Sequence, residues 1–363
     1  MRAIAVVALC SVLVTLSSGR AAAEDGFDRI GQIGVGKGPN HMVMGQKLYV
    51  CLGEENTLGI VDPVAGAQVA TVPVGQVPLA IELAPGGRRA AVACFRSNEV
   101  VMVDLEKGKV VARAPVAEGP RAMCLLPRAS LLFVSCYFAG KIEILDAWSL
   151  KPFARIDAGV GVHHMLATPD EEKVYVMDSS SDRILVIDVP GRRIARILED
   201  GLGVGQWDME MTPDGKTLVV SNWSSDSLTL IDTASDTVLK QIPTQGKGAA
   251  PVALSPDGTL ALVSHSEDDS AALVDIRAGR LLGKIAVGEF PFSDTAISPD
   301  GRFGLVTNDN AGSVSVLQLS PFKELARVKT GKIPHVLLFE ADGKRAYVAN
   351  TDANTLSVLG ARP

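Results

Sequence analysis

Four of the chain's five histidines fall on two adjacent positions of a segment that recurs about every 42 residues. Through the successive segments the first position carries Asn40, Leu79, Arg121, His163, Trp207, Ala250, Ser293 and His335. The second carries His41, Ala80, Ala122, His164, Asp208, Pro251, Asp294 and Val336. Polar groups gathered at one level describe a ring around a concave mouth, the setting in which ligands are usually held. Glu82 and Glu210 stand two steps further along, on the side shared with His41, His164 and Asp208 if the segment is a period-2 strand. His164, Asp208 and Glu210 would supply a partial nitrogen and oxygen set for a divalent metal. The same imidazoles and carboxylates could trade protons near neutral pH. They could equally spend themselves on waters, arginines and loop caps, because buried polar groups must find partners whatever they do.

Other reactive types are read in the same double way. Met42, Met123, Met165 and Met209 share one position just after the ring, and His41-Met42 or His164-Met165 suggests copper by ligand type. Successive strand side chains point to opposite faces, which favours methionine as a filler between packed layers. Cys94 and Cys136 stand where other segments have Asn222, Asn308 and Asn350. Equivalent atoms of neighbouring segments are poorly placed for a disulfide, which needs Cα atoms about 4.4 to 6.8 Å apart. Buried free thiols are therefore expected, with a thiol site near Phe95, Arg96, Tyr137 and Phe138 as the sharper alternative. Tyr137, Phe138 and Trp223 lie in loops after the second strand, on the same face as Trp207, and could anchor a protein or a flat ligand. His265, the fifth histidine, is expected on that face too. Gly-x-Ser-x-Gly, His-Glu-x-x-His, Cys-x-x-Cys and a phosphate-binding loop are all missing.

These residues must be held by repeated β structure. The clearest copy is GVGQWDMEMTPDGKTLVVSNWSSDSLTLIDTASDTVLKQIPT, residues 203–244, and its relatives begin at Gly36, Gly75, Glu118, Gly159, Gly246, Phe290 and Gly331. Each reads as four short strands, with β-branched alternation and Gly, Pro, Asn and Asp turns. One four-stranded sheet per repeat of this length is a blade, so the expected fold is an all-β propeller of eight four-stranded blades, or seven if the worn first copy is not one. The eighth copy stops at Pro363, where its fourth strand is due, and residues 29–36, RIGQIGVG, match the fourth strands of other copies. An N-terminal strand completing the last blade would close the ring and remove an open edge. Within each copy, the Asp ending the third strand (Asp62, Asp104, Asp146, Asp188, Asp232 and Asp275) caps the next turn, and the Pro-Asp-Gly turns are hairpin geometry.

Residues 1–23 read as a signal peptide: Arg2, an apolar run from Ile4 to Leu16, and Ala21-Ala22-Ala23 ahead of a cleavage that leaves Glu24 first. Residues 24–363 then form one exported, periplasmic or secreted domain. Losing Arg2 and Arg20 moves the net charge from −6 to −8. With bases scattered among acids, nucleic acid is excluded as a partner.

The segments LYVCLGEENTLGIVD, VYVMDSSSDRILVID, LVVSNWSSDSLTLID and AYVANTDANTLSVL resemble the YVTN β-propeller repeat family over essentially the whole mature chain. That resemblance implies an exported prokaryotic protein and leaves the activity open. There is also a likeness, of architecture alone, to eight-bladed d1-haem propellers. The expectation is a monomeric binding or scaffold module for a protein or small-molecule ligand of the cell envelope. It works through the mouth residues His41, Arg121, His163, His164, Trp207, Asp208, Glu210, Asp294 and His335. The alternative is a periplasmic enzyme, oxidoreductase-like, with a divalent metal or haem-like cofactor at the His/Asp/Glu ring.

Overall fold

The computed structural model describes residues 26–362 as eight antiparallel four-stranded sheets, one per repeat, set in a ring as a β-propeller. The innermost strands of blades 1 to 8 are Pro39–Met44, Pro78–Leu83, Pro120–Leu126, Val162–Ala167, Gln206–Met211, Ala249–Leu254, Thr295–Ile297 and Pro334–Phe339. Each leads outward through three further strands in sequence order. The exception is blade 8, whose outermost strand is Phe27–Gly34, paired antiparallel with Thr355–Ala361. Eight blades with this closure match the expectation and remove the seven-bladed alternative. The proposed signal peptide lies outside the described residues.

The middle strands explain why the blades stack. Leu48–Leu52 is buried at every position, Lys173–Asp178 at every position but its first and Arg183–Asp188 at every position but its two ends, since a neighbouring blade covers each face. They therefore read as continuous apolar runs, as doubly covered strands do. Outer strands such as Thr237–Pro243 expose most of their positions and carry the polar residues. The apolar clusters lie between blades: Tyr49, Leu58 and Ile60 of blade 1 pack on Ile81, Val92 and Val101 of blade 2. Ile33, Met42 and Val50 meet Tyr347, Ala349 and Leu356 across the closure. Met42, Met123, Met165 and Met209 are all buried in this way, the packing role expected for them.

Local chemistry fixes the turns. Asp62 Oδ1 accepts from the amides of Val64 and Ala65, and Asp146 Oδ1 from Trp148 and Ser149. In the Thr-Pro-Asp-Gly turn of blade 5, Thr212 Oγ1 donates to Asp214 and accepts from the Thr217 amide, while Gly215 takes φ +71°. Ser255 with Asp257 and Ser298 with Asp300 repeat the device.

The innermost strand carries the site. Pairing with the second strand slips by one residue between Pro78 and Ala80, Pro120 and Ala122, Gln206 and Asp208, and Pro334 and Val336. The extra residue of each bulge is Leu79, Arg121, Trp207 or His335, the first ring position. A bulge takes one residue out of the ladder and re-aims its side chain, so this position serves the mouth rather than the sheet.

Candidate functional site at the channel mouth

A cavity of about 480 Å³ opens at the mouth across blades 3 to 5. Its walls are Arg121, Ala122 and Tyr137 of blade 3, His163, His164 and Ser179 of blade 4, and Gln206 and Trp207 of blade 5. Four expected ring residues, Arg121, His163, His164 and Trp207, thus meet in one space with Tyr137, an expected aromatic contact. His41, Asp294 and His335 lie elsewhere on the ring, outside this cavity.

The Arg121 guanidinium sits over the Tyr137 ring at 5.3 Å and has no acid partner among the described residues. Tyr137 packs edge-on against Phe138 at 5.3 Å, and Phe138 reaches Phe95 at 5.5 Å. On the far wall Trp207, 39 % exposed, lies 4.6 Å from Phe292, which stacks on Phe290. Phe290 and Phe292 belong to blade 7, whose innermost strand is only Thr295–Ile297, so its lead-in loop replaces the start of that strand. Trp223 turns its indole N–H to Ser266 Oγ at 2.9 Å and braces blade 5 against blade 6.

The second ring position works as a strap between blades. The innermost strand is a sheet edge, with amides that its own ladder does not use. Asp208 Oδ1 accepts from the Met209 amide at 2.9 Å and Oδ2 from the Val252 amide of blade 6 at 3.1 Å. Asp294 does the same for Thr295 at 2.8 Å and Leu337 of blade 8 at 2.7 Å. His41 Nδ1 accepts from Ile81 of blade 2 at 3.4 Å. His164 instead meets the strap of the next blade, its Nδ1 3.0 Å from Asp208 Oδ1.

Protonation follows from enclosure. These side chains touch channel water yet are walled by protein on most sides. Burial pushes the His41 ring down to about 4, with the charges of His335 and His164 adding to it, so histidines of three blades share one field. Burial, then the charges of His164 and Arg121, hold His163 at about 3. Its Nδ1 accepts from the His164 amide at 2.6 Å, which fixes a neutral ring with the proton on Nε2. His335 is lowered by burial. At His164 burial also opposes the charge, but the hydrogen bond and charge of Asp208, with the charge of Glu210, outweigh it and raise the ring above the usual imidazole range. Burial lifts Glu82 to about 7, and Glu210 to about 7 with help from Asp208 and opposition from His164. Asp294 rises to about 7 for the same first reason, against its two amide donors. A carboxylate and an imidazole both poised near neutrality can hold or pass a proton.

Asp208 accepts from two amides and stands against His164, the Glu210 side chain makes no hydrogen bond or ion pair among the described residues, and no group of three His, Cys, Asp or Glu there could hold an ion. His265 is not at the mouth: it is fully buried, with Nε2 2.8 Å from Thr244 Oγ1 and Nδ1 3.0 Å from Ser270 Oγ. Cys51, Cys94, Cys124 and Cys136 are free and buried. Burial pushes the last three thiols up to about 12, so no reactive thiol faces the aromatic loops. Sequence reasoning missed Gln206, whose Nε2 donates to Gly203 O while its buried Oε1 finds no partner. The signal was a polar residue in a column of Pro, Val, Ala and Phe.

The fold and the mouth define an eight-bladed β-propeller with a donor-rich cavity over part of its channel. Hydrazine synthase of Kuenenia stuttgartiensis is similar, with TM-score 0.62 and 19% identity over 77% of this chain and 95% of that one. So is the dihydro-heme d1 dehydrogenase NirN, solved in complex with DHE, with TM-score 0.73 and 17% identity over 93% and 80%. At such identity the likeness is one of fold. Neither a protein-family model nor a curated protein sequence matches the chain.

Proposed function

We propose that this chain is an exported propeller of the YVTN-repeat type that binds a small molecule at the mouth of its channel, in the cavity across blades 3 to 5. One observation carries the reading. Three neighbouring blades place Arg121, His163, His164, Tyr137 and Trp207 around one 480 Å³ space, within the size range of ligand pockets. The ring positions differ from blade to blade, whereas the turn and strand residues that hold each blade recur, so the ring residues are free of the repeat's structural pattern. Export rests on residues 1–23, and a mature mass beginning at Glu24 tests it.

A second reading, an enzyme that uses His164 and Asp208 as an acid–base pair, draws support from their 3.0 Å contact beside Glu210. It draws some from the fold likeness to a synthase and a dehydrogenase. Metal analysis, a visible spectrum and native mass spectrometry on protein from its own periplasm, beside a His164→Ala, Asp208→Ala variant, separate the two. A colourless, metal-free protein with a small molecule retained supports the binding reading. One chromophore or metal per chain, lost in the variant, supports the enzyme.

A further inference from the structure

We infer that the ligand of this cavity is a planar organic anion with a single negative charge, its acidic group set against Arg121 and its ring between Tyr137 and Trp207. This rests on the binding reading above and names its chemistry.

The first observation is the sign of the lining. Among the described residues no carboxylate lines the cavity, although the chain carries 41 acidic residues against 35 basic ones. Its polar groups include the donors of Arg121, Nε2–H of neutral His163, the ring of His164 and the hydroxyl of Tyr137, beside Ser179, which donates to Gly161 O, and the Gln206 amide, which donates to Gly203 O. The second is charge balance. His164 already has its counter-ion in Asp208, 3.0 Å away, whereas Arg121 has no acid partner among the described residues, so the one unpaired charge among the groups that line the cavity is positive. A guanidinium offers paired parallel N–H groups that suit a carboxylate or similar planar acid. The third is shape. Tyr137 and Trp207 flank the histidines from blades 3 and 5, and each packs on a further ring, Tyr137 edge-on against Phe138 and Trp207 at a tilt against Phe292. Aromatic walls held in place bind a flat ring at little entropic cost.

Calorimetric titration of the full mature chain at pH 7.5 with 2-naphthoate, neutral 2-naphthamide and 2-naphthylmethylammonium tests this. The expected order is naphthoate first, the amide weaker by about ten-fold, as for loss of a charge-assisted hydrogen bond, and no ammonium binding. Arg121→Gln should bring naphthoate down to the level of the amide, Arg121→Lys should keep a reduced preference for the anion, and Trp207→Ala should weaken both compounds. Arg121 and Trp207 both stand exposed at bulge positions, so these variants should fold, which the circular dichroism spectrum of each checks. Equal binding of naphthoate and naphthamide, both lost in Trp207→Ala, overturns the anion and leaves the pocket standing. No binding by any of the three overturns both.

Discussion

Replacing Asp208 by alanine should unfasten blade 5 from blade 6. The carboxylate holds the amides of Met209 and Val252, 0 % and 2 % exposed, and the ring of His164. Alanine leaves two buried donors unpaired, at about 1–3 kcal/mol each. The Asp208 side chain is 23 % exposed to the channel, so water can reach part of the vacated space and the expected loss is about 2–3 kcal/mol. For a chain of this size that lowers the melting temperature by about 3–4 °C. Hydrogen exchange localises the effect: protection at Val252 should fall by about ten- to a hundred-fold, with blades 1 and 2 unchanged. The His164 ring, titrated by NMR, should drop from above the usual imidazole range to below it, because burial is then opposed by Glu210 alone. A raised folded value means that His164 stabilises below its unfolded value of 6.5 and loses this as pH rises through the folded value. The stability gap between wild type and variant should accordingly be wider at pH 5.5 than at pH 8.5. Asp294→Ala, which frees Leu337 and Thr295, is the matched case on the other side of the ring. Unchanged protection at Val252, with an unchanged melting temperature, would refute the strap.

Gly288→Ala should cost about 1–3 kcal/mol by overpacking, because its Cβ would stand 2.3 Å from Asn308 Cγ, whereas Gly34→Ala, with open space around it, should be close to neutral in thermal unfolding. His265→Asn copies the residue of blades 5, 7 and 8 and loses the Thr244 contact, so it should weaken the fold at pH 7.5 in urea titration. Burial holds His265 at about 4, so the wild type loses stability as pH falls from 6.5 towards 4, and the variant should lose less over that range. All four thiols should resist Ellman's reagent in the native state and react together on denaturation; fast labelling of Cys94 or Cys136 in the folded protein would contradict their burial.

Repetition is what made the fold legible. Eight copies write the same turns, the same buried strand pairs and the same terminal gap, so blade number and closure follow without knowledge of any one contact. The same layering identified the two ring positions and the packing of Met42, Met123, Met165 and Met209. Three features lay beyond it for physical reasons. A bulge is a matter of register between strands, so Arg121 and Trp207 give no sign in their own segments that they leave the ladder. Direction is equally silent: Asp208 and Asp294 look like free carboxylates in sequence, yet each accepts from a neighbouring blade's edge amide. His265 belongs to a column whose side chains pack on a glycine backbone, as Asn222 does on Gly203 and Asn308 on Gly288, so its place opposite Gly246 buries it. Asp208 and Asp294 are residues the propeller uses to hold neighbouring blades together. Arg121, His163, Tyr137 and Trp207 carry no strap between edge amides, and it is these that the cavity collects with His164.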